Sequence, residues 1–205
     1  MHNNQNKEVL REHIPLIAKT LKFEPSQKLI ENLLSVSEIH TVKPGDFFCQ
    51  AGAPAQKMFL VLKGLLRGYY LEESGKCSIR SFFVEGKVGG PYLEILNSSP
   101  SKIYIDALEE SLLLTVNFKK VLQQNKKENE WLKLRTYILE SAHDFLENRL
   151  YELLAFNSLD RVLRLKEKRP DLFNRVRNMD LASYLGMTPE TFSRTLKKIK
   201  SQQIK

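Results

Sequence analysis

The sequence predicts an α+β chain in which an antiparallel β-roll gives way to a long helix and then to a helix-turn-helix. Three observations predict it. Eight of the nine glycines lie between residues 45 and 90, separated by short apolar or alternating runs. From Pro91 to Leu185 there is no glycine, and leucines recur seven apart in the later half of that stretch. The last segment places two short amphipathic patterns on either side of Gly186. Short strands with glycine-bearing turns suit a sandwich or barrel, and a sustained heptad suits a long helix with a seam.

Taken in order, the chain begins with helical spacing from about Glu8 to Val36, where Leu10, Ile14, Ile17 and Leu21 are followed by Leu29, Leu33 and Leu34. These are expected to be packing helices ahead of the main fold. Strands follow in Met58-Phe59-Leu60-Val61-Leu62 and Leu65 to Leu71, with Glu73-Ser74-Gly75-Lys76 as a hairpin turn. Lys102 to Leu108 and Ser111 to Val116 are expected as the closing pair of strands. Tyr69, Tyr70, Phe82, Phe83, Tyr92 and Tyr104 are candidates to line a cavity in the roll, although strand aromatics more often fill a core.

The long helix is expected from about Lys126 to Leu154. Leu132, Leu139, Leu146 and Leu153 form its stripe, broadened by Ile138, Ala142, Phe145 and Leu150. We assign the stripe to a subunit interface; the alternative is a helix packed on its own domain. Ala155-Phe156-Asn157-Ser158 is the expected hinge. Ser158 is expected to cap a helix carrying Leu159, Val162, Leu163 and Leu165, which ends at Arg169-Pro170. The domain division is therefore 1–125 for the roll and its helices, 126–156 for the long helix and hinge, and 157–205 for the helix-turn-helix.

That last segment carries the chemistry. A first helix runs to Leu185, Gly186 makes the turn, and Thr188-Pro189-Glu190 starts a second helix. Thr188 caps, Pro189 needs no amide partner, and Glu190 meets the positive end of the helix dipole. Phe192, Leu196 and Ile199 face inward towards Leu181 and Leu185, while Glu190, Ser193, Arg194 and Lys197 share the opposite side. Arg194 suits guanine O6 and N7, and Glu190 can accept from the cytosine amino group. Thr191 and Ser193 suit a base edge or phosphate, and Lys197, Lys198 and Lys200 suit phosphates.

Charge supports that assignment. The chain has 32 Lys+Arg and 24 Asp+Glu. Residues 161–205 hold 12 of the basic and 4 of the acidic residues, which leaves 20 of each before them. The whole formal excess of +8 therefore sits in the last 45 residues, as a phosphate-binding surface requires.

Other classes are disfavoured. His2, His13, His40 and His143 are scattered, without a nucleophile motif, a His-Glu metal spacing or a P-loop, so no enzyme and no metal site are expected. Gly86-Lys87-Val88-Gly89-Gly90 is glycine-rich but lacks the strand-to-helix setting of a phosphate cradle. Cys49 and Cys77 make neither a disulfide framework nor a four-thiolate cluster, and are expected to be small core residues. With no signal-like start and no apolar run near the roughly 20 residues of a membrane span, a cytoplasmic protein without membrane partners is expected.

Together these features resemble the CRP/FNR superfamily of bacterial transcription regulators, the cyclic-AMP receptor protein and fumarate-nitrate regulator group. The most specific part is Tyr184 to Arg194, which is similar to an FNR-type recognition helix, with Lys43-Pro44-Gly45-Asp46 and Lys63-Gly64 similar to turns of the family's cyclic-nucleotide-binding-like jelly roll. The resemblance implies Glu190, Ser193 and Arg194 as base readers, a palindromic TTGA-like site, a homodimer, and RNA polymerase as a partner. Members that bind cyclic AMP hold it with a Glu after a Gly and with an Arg-Ser pair. Aligned on Gly90 and Ala107, those positions are Pro91, Ser101 and Lys102, so neither cyclic AMP nor, lacking a cysteine before Cys49, an iron–sulfur cluster is expected, and no cofactor is identified. Gly90, Tyr92, Ser101 and Lys102 remain the candidate effector pocket. Only Ser201 to Lys205 follow the recognition helix, so the family's phosphate-touching wing is expected to be absent or vestigial and the salt slope correspondingly lower. The rival reading is a ligand- or protein-binding regulatory β-roll without sequence-specific DNA binding, its basic tail only a surface.

Overall fold

The computed structural model describes residues 12–20, 26–124 and 129–203. It forms two compact units: one of the chain up to Tyr70 with Ser81–Leu139, the other of Leu71–Arg80 with the chain from Glu140 onward.

The first unit opens with α1 (Ile14–Thr20) and α2 (Gln27–Ser35). Leu10, Leu21 and Lys126 lie outside the described residues, as do the side chains of Ile14, Ile17 and Leu34. Eight strands follow: β1 (Ser37–Val42), β2 (Phe47–Cys49), β3 (Lys57–Lys63), β4 (Leu66–Leu71), β5 (Cys77–Phe83), β6 (Val88–Gly89), β7 (Tyr104–Ala107) and β8 (Ser111–Asn117). They make two four-stranded sheets, in the orders β1-β8-β3-β6 and β2-β7-β4-β5.

The expected closing pair is corrected here. β7 pairs with β2 and β4, whereas β8 pairs with β1 and β3, so the two strands lie in opposite sheets. The physical reason is a change of sheet between them. Leu108 N–H donates to Leu65 O (2.8 Å) on one side of the step, and Ser111 Oγ accepts from Leu65 N–H (3.1 Å) on the other. Gly64 makes this approach possible: its φ is +100°, and a Cβ there would lie 2.7 Å from Ser111 Cα.

Between the sheets Phe59, Val61, Leu66, Ile105, Ala107 and Leu113 form one core, joined by Phe48, Cys49 and Phe83. Phe59 meets Phe48 edge-on at 4.7 Å and Phe83 at 5.2 Å. β3 is buried on both sides because Leu60 and Leu62 pack outward with Leu114, Leu16 and Ile39. That double burial is why Met58 to Leu62 is continuously apolar. On the outer side of the second sheet Arg67 grips Asp106 through two bonds of 2.8 and 2.9 Å, and Tyr69 stacks on Tyr104 at 5.3 Å. Of the aromatics proposed for a cavity, Phe83 thus fills the core and Tyr69 and Tyr104 lie on its outer face. Tyr70 is exposed.

Three helices surround the roll: α3 (Tyr92–Asn97), α4 (Phe118–Gln124) and the start of α5 (Asn129–Ala155). Trp131 and Leu134 bury against Leu29 and Val121, and Tyr137 O–H donates to Thr20 O. Ile138 joins this inner stripe, not the heptad seam with which it was grouped. Trp131, Leu134 and Ile138 recur at three- and four-residue steps, which defines a face of its own. Leu132, Leu139, Leu146 and Leu153 remain 46%, 39%, 44% and 36% exposed in the single chain.

In the second unit α5 is followed by α6 (Ser158–Lys168), α7 (Leu172–Arg175), α8 (Asn178–Tyr184) and α9 (Pro189–Gln203). The cap of α6 is corrected by one residue. Asn157 Oδ1 accepts from Leu159 and Asp160 N–H (2.9 and 3.1 Å), and Ser158 is already helical. Asn and Ser are equally good caps, and the extended backbone of Asn157 decides between them. The helix stops at Lys168, before Arg169-Pro170, as expected. Val162, Leu165, Leu172, Leu181, Ala182, Leu185, Phe192 and Ile199 are buried, and the rings of Phe192 and Phe173 stack at 6.4 Å.

Candidate nucleic-acid interface

The turn between α8 and α9 is fixed by backbone bonds. Gly186 N–H donates to Ser183 O and Met187 N–H to Ala182 O, both at 3.0 Å. These are the paired bonds of a Schellman ending, and they require the left-handed residue that Gly186 supplies at φ +65°. Two residues later Thr188 Oγ1 accepts from Thr191 N–H (3.2 Å) and caps α9. Pro189 occupies the first helical position, where no amide is needed.

These constraints orient α9. Phe192 and Ile199 are buried and Leu196 is half-buried, whereas Thr188, Glu190, Ser193, Arg194, Lys197 and Lys198 are exposed. Thr191 lies between, half-buried, and accepts a bond from Arg194 Nη2 (3.4 Å). The Glu190 carboxyl is held below its ordinary value by a bond from its own backbone N–H, then by the Thr188 hydroxyl, then by the Arg194 charge. α9 runs to Gln203, so Ser201 to Gln203 are helical and not part of a hairpin; Ile204 and Lys205 lie outside the described residues.

Basic residues counted as phosphate-seeking divide once partners are visible. Arg161 donates through Nη1 to Leu185 O (2.7 Å), Lys168 pairs with Glu152 (2.9 Å), Arg169 with Asp171 (3.2 Å) and Arg177 with Asp180 (3.0 Å). Arg164 lies 4.1 Å over the Phe156 ring. Each of these side chains has a partner within the unit, although Lys168 and Arg177 remain 52% and 66% exposed. The exposed charge that remains concentrates on α9 in Arg194, Lys197, Lys198 and Lys200.

Several residues that support α8 and its turn carry no mark in the sequence. Arg149 lies 4.1 Å over the Tyr184 ring. Burial lowers its guanidinium pKa and raises that of the Tyr184 hydroxyl. Ser183 on α8 donates to Cys77 O (2.8 Å) and accepts from Ile79 N–H (3.0 Å). Cys77 and Ile79 point along one edge of β5, the outermost strand of its sheet. A lone serine gives no sequence signal for such an edge contact. Arg161 was visible only as charge.

The residues expected to hold an effector lie around α3. Gly90 has φ +134°, and a Cβ there would be 2.7 Å from Met58 Sδ. Tyr92 is buried against Phe118 at 5.6 Å. Ser101 is buried, and its hydroxyl is committed in both directions to Ile103, donating to O at 2.9 Å and accepting from N–H at 3.1 Å. Lys102 is exposed. Pro91 has neither carboxylate nor amide hydrogen to offer, so these side chains give a cyclic phosphate one exposed ammonium and no bidentate donor. The Phe83 ring packs closely on the neighbouring Gly89, where a Cβ would lie 2.8 Å from it. The residues present do not fit a cyclic nucleotide. Burial pushes the Cys49 thiol above its ordinary value, which makes it less reactive. Among the described residues no group of three or more metal-ligating side chains occurs, and no helix is long and apolar enough to cross a membrane.

A jelly roll, a long helix and a helix-turn-helix with a basic second helix define the class of this chain by its architecture. Comparison with known proteins finds the same fold elsewhere. Residues 39–127 match the family described as the cyclic nucleotide-binding domain. Electron transport regulator A of Shewanella oneidensis is 24% identical over 169 residues, 76% of this chain and 66% of that protein, just under two thirds of its length. FixK2 of Bradyrhizobium japonicum is 22% identical at a TM-score of 0.66, covering 82% of this chain and 87% of that one. CLP, the c-di-GMP responsive global regulator of Xanthomonas campestris, is 18% identical at 0.68, covering 85% and 91%. A Eubacterium rectale protein described as a transcriptional regulator of the CRP/FNR family is 14% identical at 0.72, covering 93% and 88%. The chain shares the fold of these solved structures.

Proposed function

We propose that this chain is a homodimeric, sequence-specific transcription regulator of the CRP/FNR type, not an enzyme. Its parts are the roll (1–125), the dimer helix and hinge (126–156) and the DNA-binding segment (157–205). The observation that carries the reading is the division of α9. One side is buried through Phe192 and Ile199, and the other presents Glu190, Ser193, Arg194, Lys197 and Lys198. A general polyanion surface gains nothing from a carboxylate in its centre. A base reader uses one to select cytosine, with guanine read by Arg194.

Two recognition helices must sit about 34 Å apart to enter successive major grooves, and the exposed Leu132, Leu139, Leu146 and Leu153 supply an apolar stripe for two-fold pairing. The palindrome is then TTGA-like in each arm, and RNA polymerase is the further partner. The poor match of Gly90, Tyr92, Ser101 and Lys102 to a cyclic phosphate supports binding without cyclic AMP.

The test is selection of duplexes from a random pool by purified protein without added effector, at two salt concentrations. A two-fold palindrome with TTGA-like arms is expected, and Glu190→Ala should relax its cytosine positions. A pool that stays random and is lost at higher salt would sink the base-reading function and favour the rival β-roll module.

A further inference from the structure

Arg194 and Glu190 are both exposed, and a long exposed side chain on a helix samples many rotamers. Something must restrict them if they are to read one base pair each. The first turn of α9 contains the restriction. Thr188 Oγ1 accepts the Thr191 N–H and donates its proton to Thr191 Oγ1, each at 3.2 Å. Thr191 Oγ1 in turn accepts from Arg194 Nη2 at 3.4 Å. Thr195 Oγ1 donates to Thr191 O at 2.8 Å, on the same turn.

We propose that Thr191 is a positioning residue for base reading: its hydroxyl holds the Arg194 guanidinium at the guanine-facing angle, and the Thr188 hydroxyl braces Thr191 in turn. This deepens the DNA-reading function and rests on it. Thr191 suits the role because it is half-buried while Arg194 is exposed, so the anchor is more rigid than what it anchors. Residues three apart share a helix face. One Nη2 hydrogen is used on Thr191, and the other with those of Nη1 still suffices for guanine O6 and N7.

Thr191 Oγ1 accepts from Thr188 Oγ1 on one side and from Arg194 Nη2 on the other, so both of its lone pairs are occupied and its orientation is set from two directions. A threonine that only touched phosphate would not hold Arg194 in this way.

The experiment uses the full chain and the palindrome recovered by selection. Competition binding compares that duplex with one carrying adenine for guanine in both arms and one altered only at a thymine, at two salt concentrations. Thr191→Val keeps the shape and removes the hydroxyl. It is expected to narrow discrimination at guanine roughly fivefold, about 1 kcal/mol of side-chain ordering at tenfold per 1.4 kcal/mol. The thymine preference and salt slope should stay unchanged, and Thr191→Ser should restore the guanine preference. In an Arg194→Ala background Thr191→Val should have no further effect, which a purely structural role would not produce. Equal discrimination by Thr191→Val and the unaltered protein overturns the proposal. So does a uniform loss on all duplexes with a shallower salt slope, the signature of a phosphate contact. If the unaltered protein itself distinguishes none of the duplexes, the base-reading function fails instead.

Discussion

Gly186→Ala probes the joint between α8 and α9. Gly186 sits at φ +65°, where a residue with a Cβ costs about 1–2 kcal/mol. A Cβ built there would lie 2.9 Å from Leu153 Cδ2 and 3.2 Å from Arg161 Nη1. The Leu153 tip can turn aside. Arg161 has less freedom because Nη1 donates to Leu185 O at 2.7 Å, and weakening a charge-assisted bond of this kind costs about 1.5 kcal/mol more. The sum, about 2–4 kcal/mol, raises the opening equilibrium of α8 and α9 roughly 30-fold to 1,000-fold at tenfold per 1.4 kcal/mol. Hydrogen exchange at the buried Phe192 and Ile199 amides reads that equilibrium residue by residue. Gly186→Asn separates the contributions, since Asn tolerates the left-handed region but carries the same Cβ. Unchanged exchange in Gly186→Ala would refute the reasoning, because it would mean that neither the φ nor the Arg161 bond constrains the turn.

Removing the Ser183 hydroxyl by Ser183→Ala should speed exchange of the Ile79 amide roughly tenfold, the worth of one buried bond, with neighbouring strand amides unaffected. Arg67→Met should destabilise the first unit by about 3–5 kcal/mol by stranding a buried carboxylate. Adding Asp106→Leu should recover most of the loss, as read by urea unfolding; the Asp106 side chain is 7% exposed and that of Arg67 15%. Glu190 should titrate below the ordinary glutamate value of about 4.3, because its charged form is bonded in the folded state. Its support for the start of α9 is therefore complete above that ordinary value and is lost as pH falls through the lower folded one. An NMR titration of the Glu190 carboxyl checks the midpoint, and Thr188→Ala should raise it towards the unperturbed value.

What the sequence by itself determined was local and periodic. Glycine punctuation separated the roll from the helices, and the leucine heptad marked a stripe on α5. Thr188-Pro189-Glu190 after Gly186 marked a turn whose backbone chemistry leaves few alternatives. These are signals in which a residue's own conformational limits, or its spacing along one element, decide the outcome.

The tertiary structure decided which partner each side chain meets across space. β7 and β8 read as neighbours because they are neighbours in sequence, yet the step through Leu108 and Ser111 sends them into opposite sheets. Ile138 fits the heptad and the inner stripe about equally well, and only packing against α2 and α4 assigns it. Asn157 and Ser158 are equal caps until the backbone selects one. The C-terminal arginines look alike as charge, but Arg161 is part-buried and bonds Leu185 O while Arg194 stands exposed on α9. Charge and periodicity belong to the chain, whereas a hydrogen-bond partner exists only once distant segments have been brought within about 3 Å of each other.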